Sequence, residues 1–169
     1  VLATAYTVSQ GIKKAGDFDL VICGKQTTDG DTAQVGAEVA EFLNLPNVAN
    51  VLSVKEVDQN KIVVTASQDD KVVEMSVKLP CLISVDGDIN TPRLPSYKVK
   101  KTLTDDMIKL LSLDDFTDQN VNNYGLSGSA TQVERIFPPE KNNEKYSIEG
   151  TPQEQAEELF TLVRRIKLV

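Results

Sequence analysis

A short apolar run that leads into an amphipathic pattern constrains the fold of this chain most strongly. The run "DFDLVICG" is continuous rather than alternating, which predicts a strand buried on both faces. The segment after it has helical periodicity, and "NVANVLSVKEV" then predicts another strand. Strand, helix and strand at this spacing predict a parallel crossover unit, and therefore an α/β fold. The apolar side of the predicted helix consists of Val35, Val39, Phe42 and Leu43.

The segments on either side of this unit extend the same architecture. "VLATAYTVSQGIKKAG" predicts a first helix that ends at Gly16. Two alternating runs, "NKIVVTASQ" and "KVVEMSVKLP", predict a hairpin at the edge of the sheet or lying over it, and "CLISVDG" predicts a further buried strand. Because the chain opens on Val1 inside a helical pattern, we expect it to be a fragment of a longer protein. The predicted apolar face of the first helix comprises Leu2, Ala5, Val8, Ile12 and Ala15.

From Asp88 onward the sequence loses this periodicity. "DINTPRLPSYKVKKTL" predicts an extended loop, and "LTDDMIKLLSL" predicts a short helix capped by Thr104. The long polar segment that follows predicts an arm lying over its own domain or over a partner, with one strand at "TQVERIF".

The last residues predict a terminal helix with a clear start. Thr151 is placed as its N-cap, Pro152 as its first residue, and Glu154 as the second member of a capping box. The whole chain is thus predicted to contain three parts, at 1–87, 88–103 and 104–169. The apolar stripe of the terminal helix comprises Ala156, Leu159, Phe160, Val163 and Ile166.

Composition excludes several classes of function. A chain of 169 residues fits one domain, and its net charge of −7 argues against a nucleic-acid binder. No apolar run approaches the ~20 residues that a membrane helix needs, so we expect no membrane insertion. The chain has no histidine, which removes Ser-His and Cys-His nucleophile pairs and leaves no catalytic residue to assign. Its two cysteines, Cys23 and Cys81, lie in apolar runs, so we expect buried thiols and no metal site.

The junction "CGKQTTDGDTAQVG" is more polar than a turn requires. Open α/β sheets bind ligands where a strand ends and a helix begins, and N–H groups at a helix start favour phosphate. Asp31 and Gln34 have the spacing of a capping box, which would make Thr32, Ala33 and Gln34 the first turn. Asp29 or Asp31 would then cap N–H groups or bind ribose hydroxyls, while Thr32 meets phosphate. A capped helix beside a solvated turn explains the pattern equally well, and neither standard glycine fingerprint is present.

A second candidate site is the cationic run at Lys98, Lys100 and Lys101. On an acidic protein this run predicts either a solvated face or a docking surface for an acidic partner. Leu94 and Pro95 are apolar residues on the same loop, and they favour docking.

Three stretches together resemble the β subunit of electron transfer flavoproteins. "DLVICGKQTTDGDTAQVGAEVAEFLNLP" resembles its nucleotide-binding segment, and "LPCLISVDGDINTPRLPSYKVKKTL" resembles its strand and partner-recognition loop. "YGLSGSATQVERIFPPE" is similar to the family's "GL-x-GSPT-x-V" segment, with Ala130 where proline is usual. The resemblance runs from about Asp17 to Glu140.

The resemblance implies a Rossmann-like fold of the adenine nucleotide alpha hydrolase type, with a mostly parallel sheet, an edge hairpin and a C-terminal arm ending in a helix. It also implies a heterodimer with a larger α subunit that carries FAD. Such a heterodimer takes electrons from flavin dehydrogenases, such as the acyl-CoA dehydrogenases of fatty acid oxidation, and passes them to downstream acceptors. The β subunit holds AMP in classical members. The "DGDTAQVG" form resembles the anaerobic bacterial branch, in which a second FAD supports electron bifurcation with NADH, and this implies a bacterial cytoplasmic protein.

Residue by residue, the resemblance assigns a set of partner contacts and a set of nucleotide contacts, and it leaves one part of the family's pocket without a counterpart. Leu94 matches the recognition-loop leucine that anchors in the dehydrogenase, and Pro95 and Lys98 accompany it as partner contacts. The family's opening strands, which contribute to its nucleotide pocket, have no counterpart in this sequence. The implied nucleotide contacts are Cys23, Gly24, Lys25, Asp29, Asp31, Thr32, Ala33, Gln34 and Val35.

Two other functions remain open on the sequence. One is an adenine-nucleotide-binding module of the universal-stress type without redox activity, which would need its own glycine loop and would not explain Leu94. The other is a purely structural subunit with a vestigial pocket. Flavin absorbance in the intact complex distinguishes electron transfer from both.

Overall fold

The computed structural model describes residues 1–139 and 145–165 of the chain. These residues belong to two compact units, Val1–Gln132 and Val133–Val169. Within the described residues, no helix combines the length and the apolar character needed to cross a membrane. The division at 87 and 103 remains a prediction.

The first unit is built on one five-stranded sheet of order β1-β5-β2-β3-β4. β5 is parallel to both β1 and β2, whereas β3 is antiparallel to both β2 and β4. The predicted crossover and the predicted hairpin are both confirmed. The elements are α1 (Leu2–Ala15), β1 (Leu20–Gly24), α2 (Val35–Leu43), β2 (Asn47–Val57), β3 (Lys61–Gln68), β4 (Lys71–Lys78) and β5 (Cys81–Val85).

The two strands predicted to be buried on both faces differ in the structure. β5 lies between β1 and β2 and is buried at Cys81, Leu82, Ile83 and Ser84, as predicted. The prediction for β1 is wrong, because among the described residues β1 pairs only with β5 and Ile22 is 61% exposed. An edge position gives a strand one neighbour, and the apolar run alone does not reveal that position.

Each face of the sheet carries its own apolar cluster. Because neighbouring residues of a strand point to opposite faces, Leu82 of β5 packs with α1 and α2, while Cys81 and Ile83 pack on the other side. Burying one large aliphatic side chain contributes about 1.5–3 kcal/mol. The cluster beneath the helices contains Ala5, Val39, Ala40 and Leu82, and the other contains Val48, Val51, Ile62, Val64, Ala66, Cys81 and Ile83.

The predicted apolar face of α1 is only partly correct. Ala5 is fully buried and Ile12 packs against the cluster beneath the helices, but Leu2 and Val8 are exposed. The buried positions of α1 are Ala3, Ala5, Ser9 and Gln10. Ser9 can be buried because its hydroxyl donates to the carbonyl of Tyr6 at 2.7 Å.

The start of the polar arm lies over its own domain. Tyr6 of α1 donates its hydroxyl to Asp118 Oδ2 at 2.5 Å, and Tyr124 donates to the Asp118 carbonyl at 2.5 Å. The rings of Tyr6 and Tyr124 are 5.4 Å apart, and Tyr124 stacks on Phe116 at 5.9 Å. Tyr6 also meets Phe42 of α2 edge to face at 5.1 Å. Aromatic contacts and one carboxylate therefore fasten this segment to both helices.

Three predictions for the second half of the chain are wrong. The loop predicted to be extended contains a short helix, α3 (Tyr97–Lys101). The helix predicted after Thr104 is only a 3-10 turn at Asp105–Met107, and the Thr104 side chain makes no cap. Residues 131–137 form no strand, since among the described residues no strand pairs with them. A strand depends on such a partner, which a local pattern does not supply.

The second unit contains the terminal helix, α4 (Pro152–Arg165). The backbone N–H of Thr151 donates to Glu154 Oε2 at 2.8 Å, and Glu154 N donates to Thr151 Oγ1 at 3.4 Å. The predicted capping box is thus confirmed, and the Thr151 backbone N–H, followed by the Thr151 hydroxyl, lowers the pKa of the Glu154 carboxyl. Leu159 and Phe160 of the predicted stripe are exposed, and Ile166 lies outside the described residues.

Candidate functional site

The polar junction forms an exposed loop, residues 25–34, between β1 and α2. The predicted capping box in this loop is wrong, because α2 begins at Val35 and Asp31 lies four residues before it. Asp31 and Ala33 have positive φ angles of 48° and 53°, which are left-handed and incompatible with a helical first turn. Gln34 occupies the cap position without a side-chain hydrogen bond.

A cleft of about 490 Å³ lies where β1 and β5 end. Lys25 N donates to the carbonyl of Val85 at 2.9 Å, which continues the pairing of the two strands into the loop. Above this bond, Lys25 Nζ lies 3.2 Å from Asp86 Oδ2. The carboxyl ends of parallel strands, such as β1 and β5, are where α/β proteins bind ligands. The cleft is lined by Gly24, Lys25, Gln26, Val85, Asp86, Gly87, Ile89, Asn90 and Pro92.

Asp86 joins the two candidate sites. One carboxylate oxygen accepts from Lys25, and the other accepts from the backbone N–H of Asp88 at 3.1 Å. The Asp88 N–H and then Lys25 lower the pKa of Asp86. Asp88 starts the segment that leads to Leu94, so Asp86 is bonded both to the first residue of the loop and to the start of the docking segment.

Cys23, a predicted nucleotide contact, points toward α2. Its Sγ donates a weak hydrogen bond to the carbonyl of Ile83 at 3.7 Å, and the side chain packs at the border of the cluster beneath the helices. Burial raises the pKa of the thiol, so Cys23 remains protonated at neutral pH. Cys23 can therefore contact a ligand in the cleft only through its backbone atoms.

The structure brings some of the predicted nucleotide contacts together and separates others. Gly24 and Lys25 line the cleft, while Val35 opens α2 and is half-buried. Within the described structure, no backbone group of residues 26–33 hydrogen-bonds to another element, although the loop forms a turn at 28–30. The predicted contacts that lie exposed in this loop are Asp29, Asp31, Thr32, Ala33 and Gln34.

Sequence reasoning missed Asp86 and Asn90 as parts of the cleft. The available signal was the same one that identified Lys25: polar residues that follow directly after a buried strand. "CLISVDG" ends in this way, and β5 is parallel to β1, so both polar ends meet at one edge.

The residues present fit a nucleotide. Free N–H groups and the Lys25 ammonium suit phosphate. Glu38, in the first turn of α2, has a buried Oε2 atom with no hydrogen-bond partner among the described residues. A buried polar atom without a partner is destabilising, but Glu38 does not line the cleft, so it is not assigned to the nucleotide.

The predicted docking residues are all at the surface. Leu94 is 94% exposed, and Pro95 is also exposed. Lys98, Lys100 and Lys101 follow on α3, where Lys101 Nζ lies 5.2 Å from the ring centroid of Tyr97. An apolar side chain held out beside several cations suits a partner with an apolar pocket and an acidic rim.

Comparison with known proteins places this sequence in one family. The sequence model described as "Electron transfer flavoprotein domain" matches residues 1–106. The chain is 35% identical over 158 residues to the electron transfer flavoprotein subunit beta of Thermoanaerobacterium thermosaccharolyticum, covering 93% of this chain and 60% of the relative. The subunit beta of Clostridium acetobutylicum is 36% identical over 155 residues, covering 92% and 59%.

A third relative is the caffeyl-CoA reductase-Etf complex subunit CarD of Acetobacterium woodii, at 35% identity over 149 residues, or 88% of this chain and 56% of the relative. The chain thus spans about 60% of the length of the curated relatives it matches. The match confirms the predicted resemblance and the Rossmann-like α/β class. The chain belongs to the electron transfer flavoprotein domain family.

Proposed function

We propose that this chain is the nucleotide-binding part of an electron transfer flavoprotein β subunit, which passes electrons between flavin dehydrogenases and downstream acceptors. The observation that carries the proposal is the cleft at the ends of β1 and β5, which is lined by Lys25 and Gln26 at the start of a loop whose backbone N–H groups at 26–33 are not bonded to another element of the described structure. Electron transfer itself would be supplied by flavin when it is bound. The residues of this chain would bind and orient the nucleotide.

In this proposal each part of the site has a separate task. Lys25 and the N–H groups of residues 26–34 hold phosphate, with Thr32 adding a hydroxyl. Asp29 or Asp31 accepts from ribose hydroxyls, and Cys23, Gly24, Ala33, Gln34 and Val35 contribute backbone contacts. The ligand is AMP or a second FAD, beside the FAD held with the α subunit. The "DGDTAQVG" form of the loop, which resembles the anaerobic bacterial branch, favours the second FAD and a bifurcating role with NADH.

The docking segment completes the proposal. Leu94 and Pro95 insert into an acyl-CoA dehydrogenase-type flavoenzyme, and Lys98 faces acidic residues at its rim. The arm and α4 contact the α subunit through the exposed Leu159 and Phe160. The assembly works in the bacterial cytoplasm.

The nucleotide content of the purified αβ complex tests the proposal. We expect either one FAD and one AMP or two FAD per heterodimer, measured by absorbance and by chromatography of the released nucleotides. A complex with only the FAD of the α subunit would favour a structural role with a vestigial pocket. Nucleotide without any flavin would favour the universal-stress-type alternative.

A further inference from the structure

The second residue of α2 is a glycine that lies against the end of β1. A Cβ atom on Gly36 would lie 2.7 Å from Cys23 Sγ, 3.6 Å from Ser84 Cβ and 3.8 Å from Leu82 Cδ2. The last two distances are ordinary contacts, since carbon atoms pack at about 3.5–4.0 Å. The first distance is far too short, so with Cys23 in its present rotamer α2 can approach β1 this closely only because position 36 has no side chain.

The Cys23–Gly36 contact closes the base of the loop. Cys23 precedes Lys25 by two residues, and Gly36 follows Gln34 by two residues, so the two ends of loop 25–34 meet at this contact. At its first end the loop is also fixed by Lys25, which bonds to Val85 and Asp86. Between Lys25 and Gln34, the loop makes no hydrogen bond to another element of the described structure. The position of the loop relative to the cleft therefore depends on how its two ends are held.

We propose that Gly36 is a positioning residue of the nucleotide site, acting through Cys23. The pair sets the distance between α2 and β1 and thereby fixes the course of the loop that leads away from the cleft at Lys25 and Gln26. A side chain at position 36 pushes the first turn of α2 away from the sheet and moves Gln34 and Val35 with it. The inference rests on the proposed nucleotide-binding function.

Helix propensity predicts the opposite effect of a substitution at this position. Alanine is a better helix former than glycine, so Gly36→Ala should favour α2 if only local preference mattered. The sulfur of Cys23 can avoid the new methyl group only by leaving its present rotamer and its bond to the Ile83 carbonyl. These two effects of Gly36→Ala oppose each other. Weaker nucleotide binding by this variant would therefore indicate the positioning role, because a gain in helix propensity alone would not weaken binding.

The experiment uses the full-length β subunit in complex with its α subunit. Affinities for AMP and FAD are measured by calorimetry after removal of bound nucleotide, together with thermal unfolding. The variants are Gly36→Ala, Cys23→Ala and the double variant. Gly11→Ala is the matched control, because it is also a helical glycine but has nothing within 4 Å of an added Cβ.

We expect Gly36→Ala to weaken nucleotide binding about tenfold or more, and the double variant to bind within about threefold of Cys23→Ala. Gly11→Ala should bind like the wild type. The inference is overturned if Gly36→Ala binds like the wild type, or if a folded double variant stays as weak as Gly36→Ala. If Gly36→Ala does not fold, the nucleotide affinity of the double variant is compared with that of Cys23→Ala, and weaker binding by the double variant overturns the inference. A wild-type complex that binds neither nucleotide in the β subunit overturns the proposed function itself.

Discussion

The hydroxyl of Tyr6 donates a hydrogen bond of 2.5 Å to the carboxylate of Asp118, which lies 112 positions later in the chain. This bond connects α1 to a segment in which short 3-10 turns, at Leu113–Asp115 and Val121–Asn123, flank Asp118. Asp118 also accepts from the side-chain amide of Asn123 at 2.6 Å and from Asn120 N at 2.9 Å. One carboxylate therefore both shapes the segment and fastens it to α1.

Removing the Tyr6 hydroxyl should destabilise the first unit. We expect Tyr6→Phe to cost about 1 kcal/mol, the usual net value of one hydrogen bond, and to lower the Tm by about 2–4 °C. The aromatic contacts with Phe42 and Tyr124 are retained in this variant. Thermal unfolding measures the effect, with Tyr97→Phe as a control, because Tyr97 is 71% exposed. An unchanged Tm for Tyr6→Phe would contradict the role of the bond.

The same pair should make stability depend on pH at both extremes. The hydrogen bond from Tyr6, aided by those from Asn120 and Asn123, lowers the pKa of Asp118. Its contribution is therefore present above the ordinary value of 3.8 and is lost as the pH falls through the lower pKa of the folded state. Bonding to Asp118, burial and the nearby negative charge raise the pKa of Tyr6 from 10.0 to about 12. This contribution is complete below pH 10 and is lost as the pH rises toward 12.

Denaturant unfolding at a series of pH values checks this dependence. We expect the stability difference between wild type and Tyr6→Phe to be constant near neutral pH and to shrink as Tyr6 ionises. A difference that stays constant through pH 10 to 12 would show that the Tyr6 pKa is not raised.

Lys25 should contribute directly to nucleotide affinity. We expect Lys25→Met in the αβ complex to weaken binding in the β subunit about tenfold, because a charge-assisted contact to phosphate is lost. The exposed Lys71, at the start of β4, provides the control Lys71→Met. Calorimetric titration with AMP and FAD makes the measurement. Equal affinities for the two variants would place the phosphate elsewhere.

Leu94 should affect docking and leave nucleotide content unchanged. We expect Leu94→Ala to slow electron transfer from the dehydrogenase about tenfold, since buried anchors dominate interface energies. Stopped-flow reduction of the complex measures the rate, and released nucleotides are measured in the same samples. Val72→Ala, at an exposed residue of β4, is the control. If Leu94→Ala reacted as fast as the control, the docking assignment would be wrong.

Features encoded by adjacent residues were predictable from the sequence. The capping box of Thr151 and Glu154 spans four positions, and the hairpin turns at Asp69 and Asp70. Predictions failed where a distant neighbour decides the outcome. Ile22 is exposed because β1 has one neighbour among the described residues, and Asp31 does not cap α2 because the loop turns through left-handed residues first.

The sequence by itself determined the α/β class, the crossover unit, the hairpin, the terminal helix and the two regions that carry the candidate sites. It could do so because hydrophobic periodicity and capping act over a few residues. Only the tertiary structure decided that Lys25 meets Asp86, that Tyr6 meets Asp118 and that Gly36 closes on Cys23. The members of the first two pairs are 61 and 112 positions apart. Contacts of this kind depend on strand order and helix placement, which local residue patterns do not specify.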